Sequence, residues 1–261
     1  METIIVIPAR YGSSRFPGKP LAAIMGHTLL ERVWRIGKGV PGVSEVVVAT
    51  DDSRIRSHVE SFGGRAVMTS QGCRNGSERV YEAVSNLGAS AKVIINLQGD
   101  AVLMPPWVIG ALIEEMRGDS AVKIATPAVR LNREQYKSMT AMKGAGIVSG
   151  TTVTFAKSGD ALYFSKGIIP FVRSLPEGGE PPIFQHIGVY AYTAEALKAY
   201  ISLPAGMFEE VEQLEQLRAI ENGIPIRVVQ VSLRNRTMWS VDNPQDVARV
   251  EEIIRAEGEL V

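Results

Sequence analysis

IIVIPARYGSSRFPGKP, residues 4 to 20, decides the fold of this 261-residue chain. The run Ile4-Ile5-Val6-Ile7, bounded by Pro8, predicts a buried first strand of a parallel sheet. A turn of small residues follows, with Gly12, Ser13, Ser14 and Gly18, and three cations run through it, Arg10, Arg15 and Lys19. Small residues let backbone N–H groups approach an anion, and the cations neutralise it. At the C-terminal end of a first strand, such a loop is where an α/β sheet binds a phosphorylated ligand.

Two other phosphate loops do not fit. A Walker A loop has four residues between its glycines and then Lys-Ser/Thr. Here five residues separate Gly12 from Gly18, and Lys19 is followed by Pro20, so the Mg²⁺-binding hydroxyl is missing. The dinucleotide fingerprint needs three closely spaced glycines, and only Gly12 lies near the strand.

Composition narrows the class. With 45% hydrophobic residues the chain can bury a sizeable core as one domain. Its 28 basic and 28 acidic residues balance, which gives no electrostatic case for nucleic acid or bulk membrane as a partner. Cys73 is the only cysteine, so no internal disulfide or thiolate cluster forms, and a reducing compartment is expected. The first strand begins within three residues of Met1, leaving no room for a signal peptide. No apolar run approaches ~18 residues. A soluble cytoplasmic protein is expected.

Strands and helices alternate outward from the opening stretch. Val46 to Val48, Ala66 to Met68 and Val93 to Ile95 read as strands, with amphipathic helices at Leu29 to Ile36 and Glu78 to Leu87. Pro105-Pro106 starts a helix over Trp107 to Met116, and Ile124 to Val129 is a further strand. This alternation predicts a mostly parallel sheet with helices on both faces. After about residue 145, Thr151 to Phe155 and Ala161 to Phe164 form a hairpin across Lys157-Ser158-Gly159-Asp160. Arg173 to Pro182 is a proline- and glycine-rich loop. His186 to Tyr192 and Ile226 to Val231 read as strands, and Ala194 to Tyr200, Phe208 to Glu221 and Asn243 to Ala256 as helices.

Several polar residues stand where chemistry could use them. Asp100 ends the segment Asn96-Leu97-Gln98-Gly99-Asp100 on the same sheet edge as the first loop. Mg²⁺ takes one or two carboxylates plus substrate phosphates, which suits a strand-end aspartate, as does a plain turn cap. Asp242, between the strand-like Met238 to Val241 and a helix, reads by itself as a cap. Glu212, Glu215, Gln216 and Ala219 fall at i, i+3, i+4 and i+7 and share one face of the expected helix. His186 opens an apolar strand; with three histidines and no zinc spacing, it reads as structural on its own. Ser77 with Glu78 marks a helix start. No Ser/His/Asp arrangement is visible, and no covalent nucleophile is needed.

PARYGSSRFPGKP resembles the N-terminal signature of the CMP-Kdo synthetases, the 3-deoxy-manno-octulosonate cytidylyltransferases. The resemblance continues at VATDD (Val48 to Asp52), NGSER (Asn75 to Arg79), NLQGD (Asn96 to Asp100) and ALYFSKGIIP (Ala161 to Pro170). It returns at HIGVY (His186 to Tyr190), EQLEQLR (Glu212 to Arg218) and VDNPQDV (Val241 to Val247). It implies a single domain of nucleotide-diphospho-sugar-transferase type, a mixed, mostly parallel sheet with a small antiparallel portion that makes a homodimer contact. Residues 1–145 would mainly bind the nucleotide, and 146–261 the sugar acid and the partner. The implied reaction is CTP + Kdo → CMP-Kdo + diphosphate, with Mg²⁺ as cofactor. Asp100 and Asp242 would hold the metal, with Lys19 and Arg10 completing the catalytic set. Ala9, Arg10, Ser13, Arg15, Lys19, Gly76, Ser77 and Arg79 would bind the nucleotide, and Gln98, Lys166, His186, Tyr190, Glu215 and Gln216 the sugar acid. The product would feed lipopolysaccharide or capsule synthesis.

The chain also departs from the family pattern. Ala101-Val102 replace a polar residue and proline, Ser149 to Thr152 replace N-x-V-K, and Lys166 replaces arginine. Lysine and arginine are not interchangeable where a carboxylate is bound bidentately. A Kdo variant or a phosphonate therefore stands as an alternative acceptor. A sugar phosphate acceptor, or a non-catalytic nucleotide-binding regulator on the same fold, stands as a further alternative.

Overall fold

The computed structural model describes residues 2–13, 15–88, 91–175 and 178–261. Ser14 of the first turn, and Pro176 and Glu177 of the expected loop, lie outside the described residues. In chain order the first half comprises β1 (Thr3–Ala9), the small hairpin β2 (Ala23–Ile24) and β3 (His27–Thr28), α1 (Leu29–Lys38), β4 (Glu45–Thr50), α2 (Ser53–Ser61), β5 (Arg65–Met68), α3 (Gly76–Leu87), β6 (Val93–Leu97), α4 (Pro106–Gly118) and β7 (Ile124–Arg130). The second half comprises α5 (Arg133–Gly144), β8 (Thr152–Phe155), β9 (Ala161–Ser165), β10 (Phe184–His186), β11 (Val189–Tyr192), α6 (Ala194–Ile201), α7 (Met207–Glu212), α8 (Leu217–Glu221), β12 (Arg227–Gln230) and α9 (Pro244–Glu257).

One sheet spans both halves, in the order β5-β4-β1-β6-β11-β7-β10-β8-β9, with β12 also pairing β7. Strands β1, β4, β5 and β6 are mutually parallel. Strand β11 inserts antiparallel between β6 and β7, and β8, β9 and β10 form the antiparallel end. The apolar run of β1 is continuous because both faces are covered. Ile5 and Ile7 pack with α1, α4 and α9 on one face. Ile4 and Val6 pack with α3, α6 and α8 on the other, as the two-residue period of a strand requires. The strand runs two residues past the expected stop, through Pro8, where β6 no longer pairs and only β4 continues.

Three expectations need correction. Phe208 to Glu221 is not one helix: α7 and α8 are separated at Gln213, whose φ of 53° is left-handed. Folding back lets the Glu221 carboxylate accept from the Phe208 and Glu209 backbone N–H groups at 3.1 and 3.3 Å. Arg218 meets Glu209 across the same break, its Nε donating at 2.7 Å, with both side chains largely buried. These partners replace the helical bonds lost at the break. His186 to Tyr192 is two strands, interrupted at Ile187-Gly188, so β10 and β11 pair β7 at different stretches. Met238 to Val241 forms no strand. Helices α2 and α5 and the β2–β3 hairpin escape the sequence reading: α5 buries only Met139 and so carries no apolar stripe.

Candidate active site

The site begins where β1 and β6 end side by side. A Cβ at Gly99 would lie 2.7 Å from the carbonyl oxygen of Pro8, so only glycine permits this approach. The turn after β1 is closed by the Gly18 N–H donating to the Tyr11 carbonyl at 3.0 Å, with Gly18 left-handed at φ 73°. Ser13 Oγ accepts from the Phe16 N–H at 3.3 Å. That closure delivers Lys19 inward and leaves Arg10 and Arg15 exposed. Lys19 Nζ donates to Asp100 Oδ2 and to the Val241 carbonyl, each at 2.9 Å. Arg15 Nη2 donates to Asp242 Oδ1 at 2.9 Å. Asp242 is held in turn, because the Asp242 and Asn243 backbone N–H groups donate to Asp246 Oδ2. Burial works against the Asp246 charge, but these backbone donors, Trp239 and Lys19 hold its carboxyl below the usual range. The sequence-predicted Lys19, Arg15, Asp100 and Asp242 are thus brought into one cluster, cation against carboxylate.

A buried hydrogen-bond chain leads from this cluster into the protein. Gln98 Nε2 donates to Asn96 Oδ1 at 2.9 Å, Asn96 Nδ2 to Ser77 Oγ at 3.3 Å, and Ser77 Oγ to Glu215 Oε1 at 3.2 Å. Every donor points toward Glu215, so a carboxyl acceptor at the far end orients both amides. Burial pushes the Glu215 carboxyl up, against the Ser77 hydrogen bond. Its Oε2 and the Nε2 of Gln216 are buried with no partner. One unused acceptor and one unused donor on successive residues are groups that ligand hydroxyls can satisfy. Gly76 lies against the Gln98 amide: a Cβ there would sit 3.2 Å from both amide heteroatoms. Arg79 is engaged internally, donating to Thr69 Oγ1 at 2.6 Å and to Asp51 Oδ2 at 3.1 Å, with little exposure. It ties the ends of β4 and β5 together.

His186 and Tyr190 form the third part. Tyr190 pairs with Asn96 across β11 and β6, which places it beside the hydrogen-bond chain. Its ring lies 5.5 Å from the His186 ring, which also meets Phe164 at 5.1 Å. His186 Nε2 is 2.9 Å from Thr126 Oγ1, while that hydroxyl donates to the Val189 carbonyl at 2.8 Å. The one hydroxyl proton is therefore committed, which assigns the Nε2–H tautomer to His186 and leaves Nδ1 an acceptor. Burial first, and the charge of Lys166 second, lower the His186 pKa to about 3. Tyr192 and Tyr200 continue the aromatic row, and Tyr200 OH donates to the Glu215 carbonyl at 2.8 Å. Burial raises the pKa of all three tyrosines.

The sequence reading missed Asn96, Thr126, Tyr192 and Tyr200. A lone asparagine inside the apolar run Val93 to Leu97 was a usable signal, since a fully buried amide needs partners. The intact helix face expected for Glu212, Glu215 and Gln216 does not exist. The break at Gln213 sends Glu212 to Ser165 Oγ and the Lys166 N–H, each at 2.8 Å, and Glu215 to Ser77.

A neutral His186 has a direct signature. Its imidazole resonances should stay unmoved in an NMR titration from pH 8 to pH 5, where an ordinary histidine titrates near ~6.5. A midpoint for His186 inside that window would contradict the buried Nε2–H assignment.

A cytidylyltransferase family model matches residues 4–228. A 3-deoxy-manno-octulosonate cytidylyltransferase of Maricaulis maris is 56% identical over 261 residues, the full length of both chains. An 8-amino-3,8-dideoxy-manno-octulosonate cytidylyltransferase of Shewanella pealeana is 41% identical, covering 95% of this chain and 96% of the relative. The solved structure of a CMP:2-keto-3-deoxy-manno-octonic acid synthetase complexed with CTP superimposes with a TM-score of 0.86 at 37% identity, over 98% of this chain and 100% of that one. With a matching fold along its length and relatives of this identity across its whole extent, the chain belongs to the cytidylyltransferase family of nucleotidyltransferases, among the 3-deoxy-manno-octulosonate cytidylyltransferases.

Proposed function

We propose that the protein activates Kdo by the reaction CTP + Kdo → CMP-Kdo + diphosphate. The observation that carries this reading is the Lys19 ammonium bridging Asp100 and the Val241 carbonyl at the joined strand ends. A cation there already occupies a place between the two acidic segments. The anomeric hydroxyl oxygen bonds to the α-phosphorus as the bond from that phosphorus to the diphosphate oxygen breaks, and the hydroxyl proton leaves to solvent. Positioning and charge neutralisation carry such a transfer, without a covalent enzyme intermediate. Lys19, Arg10 and Arg15 take the triphosphate, with Ala9, Ser13, Gly76 and Ser77 shaping its seat and Arg79 bracing it. Gln98, His186, Tyr190, Lys166, Glu215 and Gln216 receive the sugar acid.

The residues fit Mg²⁺. Among the described residues no group of three or more His, Cys, Asp or Glu could hold a metal by itself. Two strand-end carboxylates are what a phosphate-borne magnesium needs, because it keeps few protein ligands. Held by Asp100 and Asp242, magnesium would supply a Lewis acid that lowers the pKa of the attacking hydroxyl and screens its approach to the anionic phosphate. Lys19 and Arg15 now occupy those carboxylates. Triphosphate oxygens are better partners for both cations, so nucleotide binding frees Asp100 and Asp242 for the metal. No described helix is long and apolar enough to cross a membrane. The proposal places the reaction in the cytoplasm, its product feeding lipopolysaccharide or capsule synthesis.

The name of the Shewanella relative favours a second reading, an acceptor altered at C8. The departures at Ala101-Val102, Ser149 to Thr152 and Lys166 lend it support, since lost polar groups change discrimination. A homodimer is the third element of the proposal. Leu162 on edge strand β9 and Met207 and Val211 on the adjacent α7 expose large apolar groups, and Tyr163 and Phe208 join the two elements at 5.8 Å. A second copy of the chain covering them removes that apolar surface from water.

Diphosphate release across nucleotides and acceptors tests the reaction. CTP with Kdo should turn over, with ATP and GTP poorer by at least about tenfold, ~1.4 kcal/mol in the transition state. Equal rates with ATP, or release with a sugar phosphate alone, would sink the reading. A better kcat/KM for the 8-amino acceptor than for Kdo would select the second one. Asp100→Asn should lower kcat by about 10³-fold, ~4 kcal/mol, with activity abolished by EDTA and restored by Mg²⁺; Lys19→Ala should chiefly raise the KM for CTP. A folded Asp100→Asn enzyme near the wild-type rate would remove the metal role. Sedimentation should give a dimer at micromolar concentration that Leu162→Glu dissociates, and a wild-type monomer would exclude the homodimer.

A further inference from the structure

Two ammonium groups that no part of the reading so far explains together stand beside the acceptor residues. Lys143, at the end of α5, donates from Nζ to the Ser149 and Gly150 carbonyls, each at 2.7 Å. Lys166 follows β9. Burial first, and then the Lys166 charge, lower the Lys143 pKa, with Glu212 opposing. The same Lys166 charge acts on His186. Thr152 pairs with Ser165 across β8 and β9, which sets the loop that holds Lys143 beside Lys166 and Glu212's partner Ser165. Among the described residues, neither ammonium has a carboxylate within 4.0 Å. The Glu212 charge acts on Lys143 from a distance, while its oxygens take the Ser165 hydroxyl and the Lys166 backbone N–H rather than either ammonium.

Like charges in one neighbourhood disfavour the charged form of each, and an added anion relieves that cost. The loop is shaped to hold the Lys143 cation. Gly150, left-handed at φ 77°, helps turn two successive carbonyls onto one ammonium. The next carbonyl, that of Thr151, accepts the His186 N–H at 2.9 Å, so the loop that seats Lys143 also seats His186. An ammonium has three hydrogens, and two are used. Position 152, where the family pattern carries lysine, holds Thr152, which is buried and donates to the Gly167 carbonyl at 2.8 Å.

We infer that Lys143 is a specificity-determining residue of the acceptor site: seated on the Ser149 and Gly150 carbonyls beside Lys166, it binds the carboxylate of an anionic sugar acid. The cation absent from the strand at 152 is supplied from a different element, α5. This inference rests on the sugar-acid reading above. Arginine in place of lysine at 143 would keep the charge, and glutamine would keep hydrogen bonds to the two carbonyls while removing it.

The test compares wild type, Lys143→Gln and Lys143→Arg with the sugar acid and with its neutral C1 carboxamide. Lys143→Gln should raise the acceptor KM by about 10- to 100-fold, the range of a hydrogen bond to a charged group, with the KM for CTP within about twofold of wild type. The preference for acid over carboxamide should fall by a similar factor, and Lys143→Arg should retain most of it. A lysine that merely closes the loop would leave the acid-to-carboxamide ratio at its wild-type value, or move both KM values together, and either result overturns the inference. If wild type itself neither binds nor uses the sugar acid, the functional reading falls and this inference with it; if wild type does and Lys143→Gln discriminates normally, only the inference falls.

Discussion

The close parallel approach of β1 and β6 is the constraint on which the rest of the site depends. Val6 pairs with Asn96, and beyond that pair the chains run on until Gly99 rests over the Pro8 carbonyl. Only a residue without Cβ allows it. From this junction the loop after β1 carries Arg15 and Lys19 to one side, and the segment after β6 carries Asp100 to meet Lys19 while Gln98 turns back to Asn96. Tyr190, opposite Asn96 on β11, extends the same register into the acceptor side. A bulkier residue at 99 would part the two strand ends and move the cation loop away from its aspartate.

The cluster at that junction pairs each cation with a carboxylate. Arg15 and Asp242 are 64% and 43% exposed, so their pair is worth little in water and is readily given up. Lys19 and Asp100 are more enclosed, at 18% and 30%, yet still reach solvent. Groups that the proposed function assigns to a polyanion and a divalent cation thus neutralise one another in this structure, which avoids leaving bare charges at a partly buried edge. The side proposed for the acceptor follows another principle. Its polar groups form a directed chain ending at Glu215, and Glu215 Oε2 and Gln216 Nε2 are buried without a protein partner. Rigid donors of this kind select among hydroxylated ligands by leaving the wrong one unpaired.

Much of this was legible where pattern and environment agree. Strands β1, β4 and β6 are continuous apolar runs because helices cover both faces of the sheet, and their ends were placed to within a few residues. The residues 208 to 221 show the opposite case. Glu212, Glu215, Gln216 and Ala219 repeat with a helical period, yet the backbone turns left-handed at Gln213. The Arg218–Glu209 pair and the Glu221 carboxylate at the start of α7 stabilise the break. Helix α5, with little apolar surface, gave no periodic signal at all, and Lys143 went unnoticed with it.

By itself the sequence determined the alternation of strands and helices, the anion-seeking loop after the first strand, and an aspartate at the end of β6. These are properties of neighbours along the chain, set by side-chain period and turn chemistry. Only the tertiary structure decided which of those groups meet. Lys19 finds Asp100 across 81 residues, Ser77 finds Glu215 across 138, and Arg15 finds Asp242 across 227. Contacts at such separations carry no local pattern. They exist because sheet order and the approach of Gly99 to Pro8 bring distant segments to one edge, where burial and charge then fix what each side chain can do.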